Sequence, residues 1–224
     1  MSLATYGTFG SGGGEPYARA LRRDDQVLYL RDVQSHSELP SSAMNVSRWN
    51  DDADAVDLSL LNGLDGAVLD IGCGPGRMVK AAMNLGLTAL GIDVSSTAVE
   101  IARESGLMVL GRSVFERLPR EGSWAATLLI DGNIGIGGDP SALLARCAEL
   151  LAEDGVAIVE VSADASCDHV YDGTIVDIHG HRSDAFPWAE IGSDSLEQRA
   201  EQVGLRVAQS WETDSRFFCR LVKA

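Results

Sequence analysis

No uninterrupted apolar run in the sequence approaches the ~20 residues that cross a bilayer, so no membrane-spanning helix is expected. Cysteine is scarce, and Cys73, Cys147, Cys167 and Cys219 lie far apart without a C-x-x-C pair. That spacing provides neither a zinc framework nor a small disulfide scaffold, and reduced thiols in a cytoplasmic protein are the expectation. Basic residues are outnumbered, 18 Lys and Arg against 33 Asp and Glu, for a formal net charge of −15. Such a surface repels phosphate on average, which argues against a nucleic-acid partner and against docking on anionic membranes. The one local basic run, Arg19, Arg22 and Arg23, reads as the solvated face of an N-terminal helix. The stretch Met1 to Gly14 is Gly- and Ser-rich instead of basic and then apolar, so it reads as a mobile segment and not a secretory signal.

What is present is enough apolar material for a core. Hydrophobic residues make up 45% of the 224 residues and charged ones 23%, which fits one large folded domain. Glu15 to Asp24 and Asp51 to Leu64 have helical spacing, with Pro16 suited to a first turn and Asp51 and Asp52 as acidic starters. Between them, Gln26 to Asn50 reads as irregular. From Ala67 the chain alternates short apolar runs with amphipathic ones. Strands are expected at Ala67 to Ile71, Thr88 to Ile92, Leu107 to Leu110, Ala125 to Ile130 and Val156 to Val161. Helices are expected at Arg77 to Leu85, Ser95 to Glu104 and Pro140 to Leu151, with Ser95 or Ser96 as a cap. This alternation predicts an α/β fold with a parallel sheet and right-handed crossovers. The segment Ala163 to Gly192 interrupts it, with a hairpin turn expected at Asp172-Gly173. A helix at Ser193 to Val203 and antiparallel strands at Leu205 to Thr213 and Arg216 to Val222 close the chain.

Ligands of an open parallel sheet sit beyond the carboxyl ends of its strands, where strand order reverses. The loop after the first strand of the alternation reads Asp70-Ile71-Gly72-Cys73-Gly74-Pro75-Gly76. Alternating Gly72, Gly74 and Gly76 bring backbone N–H groups close to a ligand, and the following helix adds its positive end. Cys73 reads as a small residue that fits beside this turn. Asp93 ends the second strand, where a ribose-binding acid belongs, and its carboxylate can accept from two vicinal hydroxyls. The loop is G-x-G-x-G and lacks the G-x-G-x-x-G of dinucleotide sites. Asp70 would sit badly beside a pyrophosphate but suits an ammonium and a sulfonium. A cationic, ribose-bearing ligand is therefore favoured over NAD.

These motifs resemble those of the class I, Rossmann-like S-adenosylmethionine (SAM)-dependent methyltransferases. Val68 to Gly76 is similar to their first motif, Gly91-Ile92-Asp93-Val94-Ser95 to their second, and Leu150 to Glu160 to a later helix-turn-strand element. The resemblance implies a doubly wound, seven-stranded, mostly parallel sheet with the last strand antiparallel and helices on both faces. It implies a cofactor site of Asp70, Gly72, Cys73, Gly74, Gly76, Asp93, Val94, Ser113, Val114, Phe115 and Asp131. Asp70 would organise the methionine end, Asp93 would hold the ribose hydroxyls, and Val94 would lie against adenine. Ser113 departs from the pattern, since an acid commonly meets the adenine amine there; Val114 and Phe115 would clamp the ring. In this picture residues 1–64 are an N-terminal extension forming part of a cap, and residues 65–224 are the methyltransferase domain with a lid insertion at about 163–192.

The methyl acceptor is expected to be a small molecule. Asp131 to Gly138 lacks the Asn/Asp-Pro-Pro-aromatic run of DNA and some protein N-methyltransferases of this class. Asp131 and Asn133 are expected to contact cofactor or acceptor. Methyl transfer from a sulfonium depends on in-line approach and desolvation more than on acid–base machinery. If a base is needed, the candidates are Asp131, His169, His179 and His181. His179-Gly180-His181 reads as a solvated pair in preference to a metal site. Phe186-Pro187-Trp188 and Trp211 read as core or lid packing, with acceptor stacking as the sharper alternative. Tyr17 and the N-terminal helix would close the other side. A non-catalytic SAM-binding regulatory or scaffold protein and an NAD-dependent oxidoreductase are the alternatives.

Overall fold

The computed structural model of the protein describes residues 7–10, 16–23, 27–34 and 42–224. The expectation for Met1 to Gly14 therefore lies outside the described residues except for 7–10, as do Glu15 and Asp24 at the ends of the first expected helix. The elements in chain order are α1 (Pro16–Leu21), β1 (Leu28–Asp32), β2 (Ser42–Met44), α2 (Val46–Asn50), α3 (Ala55–Leu61), β3 (Ala67–Ile71) and α4 (Arg77–Asn84). There follow β4 (Thr88–Asp93), α5 (Ser96–Glu104), β5 (Val109–Gly111) and β6 (Trp124–Leu129). A 3-10 segment (Asn133–Gly138), α6 (Pro140–Leu150), β7 (Leu151–Val161), β8 (Asp168–Asp177) and β9 (Phe186–Ile191) come next. The chain ends in α7 (Ser193–Gln202), β10 (Leu205–Thr213) and β11 (Arg216–Lys223).

Seven strands form one sheet in the order β10-β11-β7-β6-β3-β4-β5. The pairs β3–β4, β3–β6, β4–β5 and β6–β7 are parallel, whereas β11 runs antiparallel to both β7 and β10. The doubly wound sheet with its last strand reversed is the one the motifs imply. Alternate residues of β3 feed two separate cores, because successive side chains of a strand point to opposite faces. Leu69 and Ile71 pack with Trp124, Leu143, Leu144 and Leu196, while Val68 packs with Leu60, Met78, Val79 and Phe218. Strand order reverses at β3, which is flanked by β4 on one side and β6 on the other, so the carboxyl ends of these three strands share one crevice.

A second, four-stranded sheet has the order β2-β1-β8-β9 and is wholly antiparallel. It joins the N-terminal region to the insertion after β7. The stretch Gln26 to Asn50 is thus not irregular: it holds β1, β2 and α2. Leu28 and Leu30 are buried against Ile175, Phe186 and Trp188, a partner set far away in sequence.

The hairpin expected at Asp172-Gly173 lies elsewhere. Strand β8 continues through both residues, which pair with Pro187 and Phe186. Gly173 is there for contact, since a Cβ would stand 3.1 Å from Leu30 Cδ1 and 3.3 Å from Phe186 Cε2. The chain reverses instead between Asp177 and Phe186, where Asp177 Oδ1 accepts the backbone N–H groups of His179 and His181, each at 2.9 Å. The helix expected over Asp51 to Leu64 is shortened to α3 by a capping box, in which Asp54 and Asp57 satisfy each other's backbone N–H. The glycine-dense run after β6 is a 3-10 segment kinked at Ile136 and Gly137. Among the described residues no helix is long and apolar enough to cross a membrane.

Candidate active site

A cavity opens at the shared strand ends of β3, β4 and β6. Asp70, Gly72, Cys73, Gly74, Asp93, Val94, Ser113, Val114, Phe115 and Asp131 all line it. Gly76 does not line it and acts from behind. Its φ of +96° starts α4, and a Cβ there would come within 2.5 Å of Leu107 Cδ1.

The glycine loop is held from two sides. Gly72 and Cys73 both donate their N–H to the Ile92 carbonyl, at 2.9 and 3.0 Å. From the start of the 3-10 segment, Asn133 Nδ2 donates to the carbonyls of Ile71 and Gly72, each at 2.9 Å. Gly72 has φ +72°, and a Cβ on it would lie 2.8 Å from that same amide nitrogen. Asn133 therefore sets the loop, a role that spacing alone does not reveal. Cys73 is buried, and its sulfur packs where a side chain on Gly91 would be. Burial pushes its thiol well up, so it is not a nucleophile at neutral pH.

The two acids at the strand ends differ in their surroundings. Asp93 accepts from the N–H of Gly74 at 2.8 Å and from that of Ser95 at 2.7 Å. Burial raises its carboxyl, and these backbone donors oppose the rise. Asp70 is buried and faces the cavity without a hydrogen-bond partner among the described residues. Burial pushes its pKa up to about 7; Arg77 pulls it down, while Asp131, Asp93 and Asp57 push it further up. This buried acid lacks a counter-charge bonded to it.

Asp131 sits in a different arrangement. It belongs to an ionic cluster in which Asp57, Asp131 and Glu160 face Arg48, Arg77 and Arg216. Arg77 bonds both Asp57 and Asp131, and Arg216 forks onto Glu160 with two contacts of 2.7 Å. Asp57 is fully buried and also accepts from Arg48 at 2.8 Å and from Arg216 at 3.0 Å. Burial disfavours its charge, but Arg77, the Arg216 hydrogen bond and Arg48 outweigh that and hold its carboxyl below the usual range. Asp131 has φ +57°, and its N–H donates to Glu160 Oε2 at 2.7 Å. Burial holds its carboxyl above the usual range despite the opposing pull of Arg77, and its oxygens are engaged with arginines. Neither the distant Arg48 and Arg216 nor their link to Asp57 carries a signal in local sequence.

Ser113 lines the cavity, with its hydroxyl accepting the Phe115 N–H at 3.3 Å. The lining also includes the rings of Phe9, Tyr17, Trp49 and Trp188, together with Met44 and Ile136. Tyr17 lies against the glycine loop, its hydroxyl 3.6 Å from where a Cβ on Gly74 would stand. Trp211 lies on the other face of the sheet, stacked on Phe218 at 5.6 Å. None of the three candidate histidines lines the cavity. His169 contacts Asp32 at 3.2 Å and stacks on Tyr171 at 4.4 Å. His181 Nδ1 lies 2.8 Å from Asp177, and its ring is 6.2 Å from that of His179, both at the β8–β9 turn.

Residues 68–155 match the family model described as a methyltransferase domain. That stretch, under half of the chain, is similar to a methyltransferase domain. The match begins within β3 and ends within β7, so it spans the glycine loop, Asp93 and Asp131 of the cavity. No curated protein matches the sequence. Among solved structures, an SAM-dependent methyltransferase from Bacteroides fragilis, in complex with S-adenosylhomocysteine (SAH), is 18% identical with a TM-score of 0.73. That alignment covers 93% of this chain and 92% of the other. The 1,6-didemethyltoxoflavin-N1-methyltransferase of Burkholderia thailandensis is 18% identical, with a TM-score of 0.59 over 79% of this chain and 81% of its own. The CcbJ methyltransferase of Streptomyces caelestis is 16% identical, with a TM-score of 0.56 over 76% and 88%. At these identities the likeness is one of fold.

Proposed function

We propose that the protein is an SAM-dependent methyltransferase acting on a small-molecule acceptor in the cytoplasm. The observation that carries this is Asp70, a buried acid facing the cavity without a bonded cation, across from Asp93. A buried charge without a partner is costly, and a cationic ligand relieves that cost. Asp93 then accepts from vicinal ribose hydroxyls with the lone pairs that Gly74 and Ser95 leave free. Val94, Val114 and Phe115 flank the adenine, and the Ser113 hydroxyl meets its amine. A pyrophosphate ligand is disfavoured, because it would bring negative charge against Asp70.

SAM supplies, when bound, a methyl group activated on a sulfonium. The chain's own residues hold that end of the ligand, exclude water and align the acceptor. Residues 1–64 and the insertion at about 163–192 act together as the cap that does this. The Burkholderia enzyme, a 1,6-didemethyltoxoflavin-N1-methyltransferase, acts on a molecule of the kind this reading requires. Isothermal titration of the folded protein with SAM and with SAH tests the proposal. Saturable binding of both is expected, and absence of binding by either overturns it.

A further inference from the structure

The loop between β5 and β6 brings Ser113, Val114 and Phe115 to the cavity. It has little backbone structure of its own. Among the described residues, its one backbone–backbone bond between 113 and 119 joins the Glu116 N–H to the Ser113 carbonyl, at 3.1 Å. Val114 and Leu118 are buried and set the depth of the loop. Phe115 between them is 47% exposed, and its ring rests on Gly137, where a Cβ would stand 3.0 Å from Phe115 Cε2. A half-exposed ring is not locked by packing, so its direction follows from the backbone that carries it.

That backbone is fastened from α6. Arg146 Nε donates to the Val114 carbonyl and Arg146 Nη2 to the Glu116 carbonyl, each at 3.0 Å, so one guanidinium holds the two carbonyls that bracket Phe115. Nη2 also bonds Glu121, whose carboxylate accepts the Leu118 N–H at 2.9 Å. Nη1 pairs with Glu149 at 2.8 Å. The remaining side-chain bonds join loop residues to one another: the Ser113 N–H donates to Glu116 at 2.7 Å and the Ser113 hydroxyl accepts the Phe115 N–H at 3.3 Å. Those bonds move with the loop, whereas the Arg146 bonds tie it to a helix.

Resting on the methyl-donor reading, which lays Phe115 along the adenine, we infer that Arg146 is a positioning residue for the cofactor, acting through the Phe115 ring. Arg146 does not line the cavity, so it touches no ligand itself. Its side chain is only 14% exposed. Ion pairs with partly exposed carboxylates stabilise a fold little, so the pairs with Glu121 and Glu149 are not what the geometry is built for. Charge-assisted bonds to two main-chain carbonyls are stronger, and they need donors in a fixed plane. Arginine has that fork and lysine does not. A loop fixed before the ligand arrives binds without the cost of ordering it, which is how a residue outside the cavity contributes to affinity.

Calorimetric titration with SAH of the parent, Arg146→Ala, Phe115→Ala and the double variant tests this as a cycle. Arg146→Ala should weaken SAH binding about tenfold in the parent background, and by less than about threefold once Phe115 is already alanine. A general loosening of the fold would cost the same in both backgrounds, and that result overturns the inference. An Arg146→Ala affinity within about threefold of the parent overturns it as well. If Arg146→Ala does not fold, Arg146→Lys takes its place in the cycle. That variant keeps the charge beside Glu121 and Glu149 but loses the fork onto the two carbonyls, so the same two outcomes decide. Failure of the parent to bind SAH overturns the methyl-donor reading instead.

Discussion

The backbone N–H of Gly74 donates to Asp93 Oδ2 at 2.8 Å, tying the glycine loop to the acid that ends the neighbouring strand. The two motifs are therefore one mechanical unit. Removing the carboxylate frees the loop at the same moment as it removes the proposed ribose acceptor. Hydrogen bonds to a charged group contribute roughly 1.5–3 kcal/mol each. Asp93→Ala should accordingly weaken SAH binding by about 10- to 100-fold. Calorimetric titration of the folded variant checks this, and an affinity within threefold of the parent would count against the ribose role.

Asp70 predicts a pH dependence in both binding and stability. A cationic ligand needs Asp70 ionised, so SAM affinity should rise with pH through about 7. Below that point it should fall by about tenfold per pH unit, and binding should release a proton. In the free protein the sign is opposite. Folding raises the Asp70 pKa from 3.8 to about 7, so in that window the folded state keeps a proton that the unfolded chain has lost. Stability contributed by this group falls as pH rises across the window. Asp70→Asn should therefore raise the melting temperature at pH 8, with a difference that shrinks toward pH 4. Thermal unfolding at several pH values measures it, and a pH-independent difference would contradict the assignment.

Asp57 is the hub of the ionic cluster, fully buried and bonded by Arg48, Arg77 and Arg216. Removing it strands arginine charge in the interior. Asp57→Ala should destabilise the fold by about 3–5 kcal/mol, the usual loss when one member of a buried pair is deleted. Its pKa is held below the ordinary range, so the stability it contributes is present above that range and is lost as pH falls through the folded value. Urea unfolding at pH 7 and at pH 3.5 should show the difference between parent and variant narrowing on acidification.

The three histidines lie off the cavity. Single changes of His169, His179 and His181 to Ala should leave kcat/KM within about twofold, whereas loss of a true general base would cost on the order of 100-fold or more. Steady-state rates against pH, once an acceptor is in hand, provide the check. A lost acidic limb in any variant would place that histidine in the chemistry.

The sheet was legible because its signals are local: apolar runs, glycines and caps alternate along the sequence, and Ser95 caps α5 as its position suggests. The N-terminal strands were not, because β1 is stabilised by β8, and nothing near Leu28 announces that partner. Asp172-Gly173 has the composition of a turn, yet Gly173 was selected by the space between Leu30 and Phe186. At the site, the glycine loop and Asp93 stand out in sequence, as does Asp70 once its charge is weighed against a pyrophosphate. The engagement of Asp131 was hidden, since its partners Arg48, Arg77 and Arg216 come from α2, α4 and β11. An isolated acid and an acid ringed by arginines look alike when read one residue at a time.

The pairing of β1 with β8 also bears on the order of events during synthesis. A ribosome releases β1 and β2 early, but their sheet has no second half until β8 and β9 have emerged. Glycine loop and strand ends can be in place well before that. The aromatic wall, drawn from Phe9, Trp49 and Trp188, exists only once nearly the whole chain is out. A nascent chain thus acquires its glycine loop first and its aromatic wall last, and a truncation before β9 would leave a half-built cavity open to water.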